Sequence, residues 1–162
     1  MVRLLEDKDE KRRVVRKILE ALPDWFGIEE SREQYIRESA DQIMLVAEDE
    51  DIPAKDGEPG SKAVGFLCLK QTGNATIELA VMGVLAEYHR KGIGRELFNE
   101  AKRIAQKKGY SFMQVKTVEM GHYDDYDATN RFYISLGFQE FEMFPLLWDE
   151  ANPCQIYVMS LK

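Results

Sequence analysis

The sequence predicts one mixed α/β (α+β) domain spanning residues 1–162, a mixed sheet with helices packed on it. Three observations carry this reading. Apolar spacing switches between a helical and an alternating period along the chain. Turn-forming Gly, Pro and Asn separate the segments. No internal repeat or linker divides them, and the length suits a single core.

Taken in order, Val14, Val15, Ile18, Leu19 and Leu22 recur at helical spacing, so a helix is expected from about Asp7 to Leu22. Pro23 and Gly27 break it. A second short helix is expected after Ser31, an N-cap residue with Gln34 three positions on. Ile43–Ala47 and Ala63–Lys70 read as antiparallel strands, joined by the charged, Gly- and Pro-containing loop EDEDIPAKDGEPGSK. After a turn at Gly73-Asn74, Thr76 to Leu85 alternates as a third strand until Gly83 interrupts the pattern, as a bulge or a close backbone approach would require. Gly92 to Lys108 is the clearest helix, with Ile93, Leu97, Phe98, Ala101, Ile104 and Ala105 on one face. Phe112–Val118 is a strand, and a helix from Ala128 to Leu136 is expected with Asp127 as its cap and Gly137 as its stop. Phe138–Met143 and Gln155–Leu161 complete the strands.

Composition narrows the function classes. Apolar and charged fractions of 44% and 31% are those of an ordinary globular chain. No apolar run approaches the roughly 18 residues of a membrane span, and MVRLLEDKDEKRR lacks the apolar centre of a secretory signal. A cytoplasmic protein without a membrane partner is expected. Cys68 and Cys154 are the only cysteines and lie far apart, suggesting neither a disulfide framework nor a metal site. The net charge of −7 counts against a nucleic-acid partner and is compatible with a cationic substrate.

The strongest local signal is the run Val84 to Phe98, VLAEYHRKGIGRELF: a strand, a basic Gly-containing turn, then an amphipathic helix. The first turn of a helix offers N–H groups without intrahelical acceptors, and the macrodipole adds positive potential there. Gly92 and Gly94 let an anion approach the backbone, and Arg90, Lys91 and Arg95 add charge, so the turn suits a pyrophosphate. A Walker-type loop does not fit. A dinucleotide fingerprint also fails, because its third Gly would fall at Leu97.

VLAEYHRKGIG resembles the acetyl-CoA motif of the GNAT superfamily, roughly V-x-P-x-x-[QR]-x-x-G-x-[GA], and Asn130 to Phe138, NRFYISLGF, resembles that superfamily's later motif. Together the resemblance covers about Ile43 to Met143. It departs at Ala86, where Pro is frequent, and at His89, where Gln or Arg is commoner. The resemblance implies a mostly antiparallel twisted sheet with a central, splayed parallel strand pair and about four helices. It also implies acetyl-CoA as cosubstrate, without a metal. Main-chain groups around His89, Arg90, Lys91, Gly92, Ile93, Gly94 and Arg95 would hold the pyrophosphate, and Met82 and Val84 would pair with the pantetheine arm.

By the same resemblance the reaction is direct attack of an amine on the thioester. Tyr133 matches the general-acid position, and Asn130 would bind the pantetheine or orient the site. Glu78, fourteen residues before Gly92, stands where some GNAT enzymes carry their base. An extended strand would leave it roughly 20 Å from Val84. Its other reading is an outward residue of an alternating strand. His122, in the polar loop GHYDDYD, is the alternative base. Glu119, Tyr123 and Asp125, with His122, suit an ammonium group. Trp25, Phe26 and the stretch Phe144 to Trp148, between elements, fall where the family builds acceptor pockets; each could equally be core packing. The expected function is acetyl transfer to a small-molecule primary amine. A peptide or protein amine, or a catalytically silent CoA sensor, are the alternatives. The family admits homodimers; no sequence feature establishes one.

Overall fold

Helices and strands interleave along the chain in a computed structural model that describes residues 1–52 and 62–162. The strands form a seven-stranded sheet in the order β1-β2-β3-β4-β5-β7-β6. Its residues divide into two compact units, Met1–Leu69 with Val81–Arg103, and Lys70–Ala80 with Ile104–Lys162.

The first unit opens with β1 (Val2–Leu5), which pairs antiparallel with β2 (Ile43–Asp49) from Val2↔Ala47 to Leu5↔Met44. Helix α1 (Lys8–Glu20) begins where the Asp7 carboxylate accepts the Glu10 N–H at 2.8 Å, a side-chain cap for an otherwise unpartnered amide. It buries Val14, Val15, Ile18 and Leu19, the stripe that the sequence spacing predicts. Helix α2 (Glu29–Ser39) corrects the expected start after Ser31. Ile28 holds the cap position without a side-chain bond, Ser31 lies inside the first turn, and Glu29 and Glu30 supply the negative charge that the helix dipole favours there.

β2 pairs antiparallel with β3 (Lys62–Gln71), as the hairpin reading requires, with a register shift between Ala47 and Glu48 that leaves Val64 as an extra residue. Val64 uses its carbonyl elsewhere, accepting the Leu85 N–H at 2.9 Å. Leu85 follows β4 (Thr76–Val84), whose Gly83 answers to close approach. A Cβ there would stand 3.1 Å from Ile18 Cγ2 and 3.3 Å from both Leu22 Cδ1 and Phe66 Cε1. Helix α3 (Ile93–Lys107) follows a short 3₁₀ turn at Ala86–Tyr88. The part of the long acidic loop at residues 53–61 lies outside the described residues.

In the second unit the first half of β4 pairs with β5 (Phe112–Val118), from Thr76↔Phe112 to Leu79↔Val115, and this is the expected parallel pair. β5 runs antiparallel to β7 (Asn152–Ser160), which in turn pairs antiparallel with β6 (Gln139–Asp149). Helix α4 (Asp124–Ser135) starts before the sequence reading places it, with Tyr123 as N-cap. Asp127 is therefore not the cap. It sits in the first turn, where its carboxylate accepts the Gly121 N–H at 2.7 Å. β6 is also longer than expected, so Phe144 to Trp148 belong to a strand and not to a connection. Phe141, Leu146, Leu147 and Trp148 remain exposed on it. β1 was not anticipated, because only Leu5 of its four residues is buried.

Ile18, Leu22 and Phe66 are buried and cannot shift freely. Gly83→Ala is therefore expected to destabilise the protein by about 1–2 kcal/mol through overpacking, read as a lower urea midpoint at an unchanged slope.

Candidate active site

The turn between β4 and α3 has the geometry its composition suggests. Arg90 and Gly92 both take left-handed backbone conformations, at φ 62° and 81°. A Cβ on Gly92 would meet nothing within 4 Å, so the face of the turn is open to an approaching anion. The first intrahelical bond runs from the Glu96 N–H to the Gly92 carbonyl, and the amides before Glu96 have no intrahelical acceptor to reach. Arg90, Lys91 and Arg95 are exposed around them. An anionic diphosphate fits such a cradle.

Side chains fix this turn from within the same unit. His89 Nε2 donates to the Val84 carbonyl oxygen at 2.6 Å, and the His89 and Trp25 rings meet edge to face at a centroid distance of 5.9 Å. Across a trans peptide the Val84 C=O points opposite to the Leu85 N–H, which is bonded to β3. His89 thus caps the edge of β4 that faces away from β3. Tyr88 Oη donates to Asp49 Oδ2 at 2.6 Å, which lifts the phenol above its ordinary range and holds the carboxyl below its own. Lys91 Nζ lies 5.2 Å from the centre of the Tyr88 ring. Neither Tyr88 nor Asp49 stood out in the sequence, being 39 positions apart. Phe26, by contrast, packs edge-on against Tyr35, and its carbonyl accepts from Arg32.

The second unit holds the remaining candidates. Asn130 is fully buried and its amide is engaged on all sides. Nδ2 donates to the carbonyls of Val118 (2.8 Å) and Tyr126 (2.7 Å), and Oδ1 accepts from Tyr157 Oη at 2.6 Å. Burial raises the Tyr157 phenol, which keeps the proton it donates. Both Nδ2 hydrogens of Asn130 are thus engaged within the chain. Tyr133, 6% exposed, packs with Phe132, Phe138 and Tyr157 at ring distances of 5.9–6.4 Å.

Glu78 does not point outward as an alternating strand would have it. It is 5% exposed, with Lys116 Nζ at 2.8 Å and Lys70 Nζ at 3.6 Å. The reason is register: Glu78 lies opposite Gln114, and Lys116, two positions on, shares a face with it. His122 is exposed, and its Nε2 lies 3.1 Å from Glu119 Oε1. Tyr123 donates to the Ala151 carbonyl, while Asp124 and Asp125 form the acidic first turn of α4. No helix among the described residues is long and apolar enough to cross a membrane.

The family model of the acetyltransferase (GNAT) domain matches residues 40–140, more than half of the chain. The chain belongs to the GNAT acetyltransferase family. It is an acyltransferase by that membership, and the cradle before α3 falls inside the matched segment. No curated protein matches this acetyltransferase in sequence. Solved structures share its fold at low identity. A Desulfovibrio desulfuricans protein described as a GNAT-family acetyltransferase superposes with a TM-score of 0.79 at 16% identity, covering 100% of both chains. An aminoglycoside 6'-N-acetyltransferase complexed with coenzyme A gives 0.71 at 17%, covering 100% of this chain and 97% of that one. The ribosomal-protein-S18-alanine N-acetyltransferase of Escherichia coli gives 0.71 at 16%, with 100% and 95% covered.

Replacing Asn130 by Leu removes the one side chain that joins the Val118 and Tyr126 carbonyls to the Tyr157 hydroxyl. A loss of roughly 2–4 kcal/mol is expected, seen as a lower melting temperature in the absence of any ligand.

Proposed function

We propose that this enzyme transfers the acetyl group of acetyl-CoA to the primary amine of a small molecule by direct attack. The observation that carries the reading is the open left-handed turn at Arg90–Gly92, set against the amides that open α3. The aminoglycoside acetyltransferase of like fold was crystallised with coenzyme A, which supports the same cosubstrate here. Acetyl-CoA supplies an activated thioester when bound. The turn would hold its diphosphate, and Met82 with the Val84 N–H would offer main-chain groups on the β4 edge opposite β3 to its pantetheine arm. A backbone N–H near Val84 would stabilise charge developing on the carbonyl oxygen. Tyr133 would donate a proton to the departing sulfur.

The amine must first lose its own proton. Glu78 and His122 are the two acceptors in play. Glu78 is shielded and engaged with two lysines, and a proton would reach it through water. His122 is open to solvent and oriented by Glu119. The exposed acidic groups Asp124 and Asp125, beside Tyr123 and with Glu119 near, support a cationic acceptor. A polypeptide amine is the second reading. The exposed apolar side chains of β6 favour it, and the S18-alanine acetyltransferase of like fold is named for such a substrate.

Thiol release from acetyl-CoA over a panel of polyamines, aminoglycosides, amino-acid derivatives and short peptides tests the proposal. Both cysteines are buried, with Cys68 pushed up to about 12 and Cys154 to about 11 by desolvation, which lowers the thiol background of the native chain. Turnover with a non-peptide amine is expected; thiol release with peptides alone would transfer the assignment to the second reading. Tyr133→Phe is expected to lower kcat about 100-fold with little change in acetyl-CoA affinity; equal loss of both would make the ring structural. Gly92→Asp sets a carboxylate against the diphosphate and is expected to abolish cosubstrate binding. Of Glu78→Gln and His122→Gln, the variant that removes the base is expected to cost about 100-fold or more in kcat and to erase the acidic limb of the pH–rate profile.

A further inference from the structure

The departure of His89 from the family pattern has a partner outside the motif. Trp25 lies in the connection between α1 and α2, far from the turn in sequence, yet its ring meets the His89 ring edge to face at 5.9 Å and 76°. His89 in turn is bonded to the carbonyl of Val84 at 2.6 Å. The chain therefore folds back from His89 to Val84, closing a loop over the 3₁₀ turn Ala86–Tyr88, whose own bonds run from the Tyr88 N–H to the Leu85 carbonyl and from the His89 N–H to the Ala86 carbonyl. Arg90, left-handed without being Gly, comes next. That conformation costs energy for a side-chain-bearing residue and persists only where its surroundings over-determine it.

We infer that Trp25 is a positioning residue of the cosubstrate turn: by packing on His89 it keeps the imidazole on Val84 and the turn in its binding shape. The inference rests on the reading that this turn takes the diphosphate of CoA. It also removes Trp25 from the amine-binding residues and assigns it to the cosubstrate side. Physically this is preorganisation. A turn already closed before the ligand arrives loses less conformational freedom on binding. An exposed imidazole without a neighbouring ring would rotate away from a single carbonyl acceptor at small cost. The Trp25 connection is anchored in turn, since the Trp25 and Phe26 N–H groups both bond to the Leu22 carbonyl at the end of α1.

The test needs no knowledge of the amine. Calorimetric titration of the whole chain with CoA alone is run on the wild type, Trp25→Phe, Trp25→Leu, Trp25→Ala, His89→Ala and the Trp25→Ala/His89→Ala double variant, with melting temperatures recorded for each. Trp25→Ala and Trp25→Leu are expected to weaken CoA about tenfold, and Trp25→Phe, which keeps an aromatic ring beside His89, less than threefold. The double variant is expected to bind no more weakly than His89→Ala alone, because both changes break one linkage. Wild-type affinity in Trp25→Leu, or losses that multiply in the double variant, would overturn the inference. If Trp25→Ala does not fold, the Phe and Leu variants carry the same comparison. A wild-type chain that ignores CoA, or a Gly92→Asp chain that binds it normally, would sink the underlying reading of the turn, an outcome distinct from failure at Trp25.

Discussion

Each peptide unit must satisfy a donor and an acceptor that point in opposite directions, and along β4 that requirement shapes everything else. Its parallel ladder with β5 runs only from Thr76 to Leu79, while the strand continues to Val84. At the far end, β3 takes the Leu85 N–H through the extra residue Val64, which turns the Val84 carbonyl the other way. His89 meets that carbonyl. The turn that follows is thus defined by a main-chain polarity problem and its solution, with the basic side chains added around it.

The second unit solves a comparable problem with side chains. Asn130 bridges β5, its own helix and β7 in one buried knot, through Val118, Tyr126 and Tyr157. Glu78 is held by two lysines at a buried position of the β4–β5 pair. Such groups are costly to bury unless every valence is met. Tyr133 shares the aromatic surroundings of that knot, so its ring is held by Phe132, Phe138 and Tyr157 whatever chemistry its hydroxyl performs.

Much of the fold was legible because burial writes a period into the sequence. The stripe of α1, the face of α3 and the limits of β5 at Phe112 and Val118 all follow from it. Elements that bury little left no such record: β1 has one buried residue and β6 none, and apolar residues of β6 such as Leu146, Leu147 and Trp148 read as core or pocket when they are exposed. Helix starts were less legible: Ser31 and Asp127 carry capping side chains, yet Ile28 and Tyr123 hold the cap positions without a side-chain bond. In the candidate site, the Gly-rich turn announced itself through local backbone demands. The pairs Tyr88–Asp49, Trp25–His89 and Glu78–Lys116 did not, since each joins residues dozens of positions apart and demands nothing of its immediate neighbours. Family resemblance supplied a place for Tyr133 and Asn130, and only coordinates could show how completely the latter is consumed internally.

The interior location of Cys68 and Cys154 has a practical consequence. With both native thiols buried, a single cysteine introduced at an exposed position, such as Glu87 in the turn, would be the accessible point of attachment for a thiol-directed spectroscopic label. The native sequence therefore already serves as the blank background in which movements of that turn can be followed one site at a time.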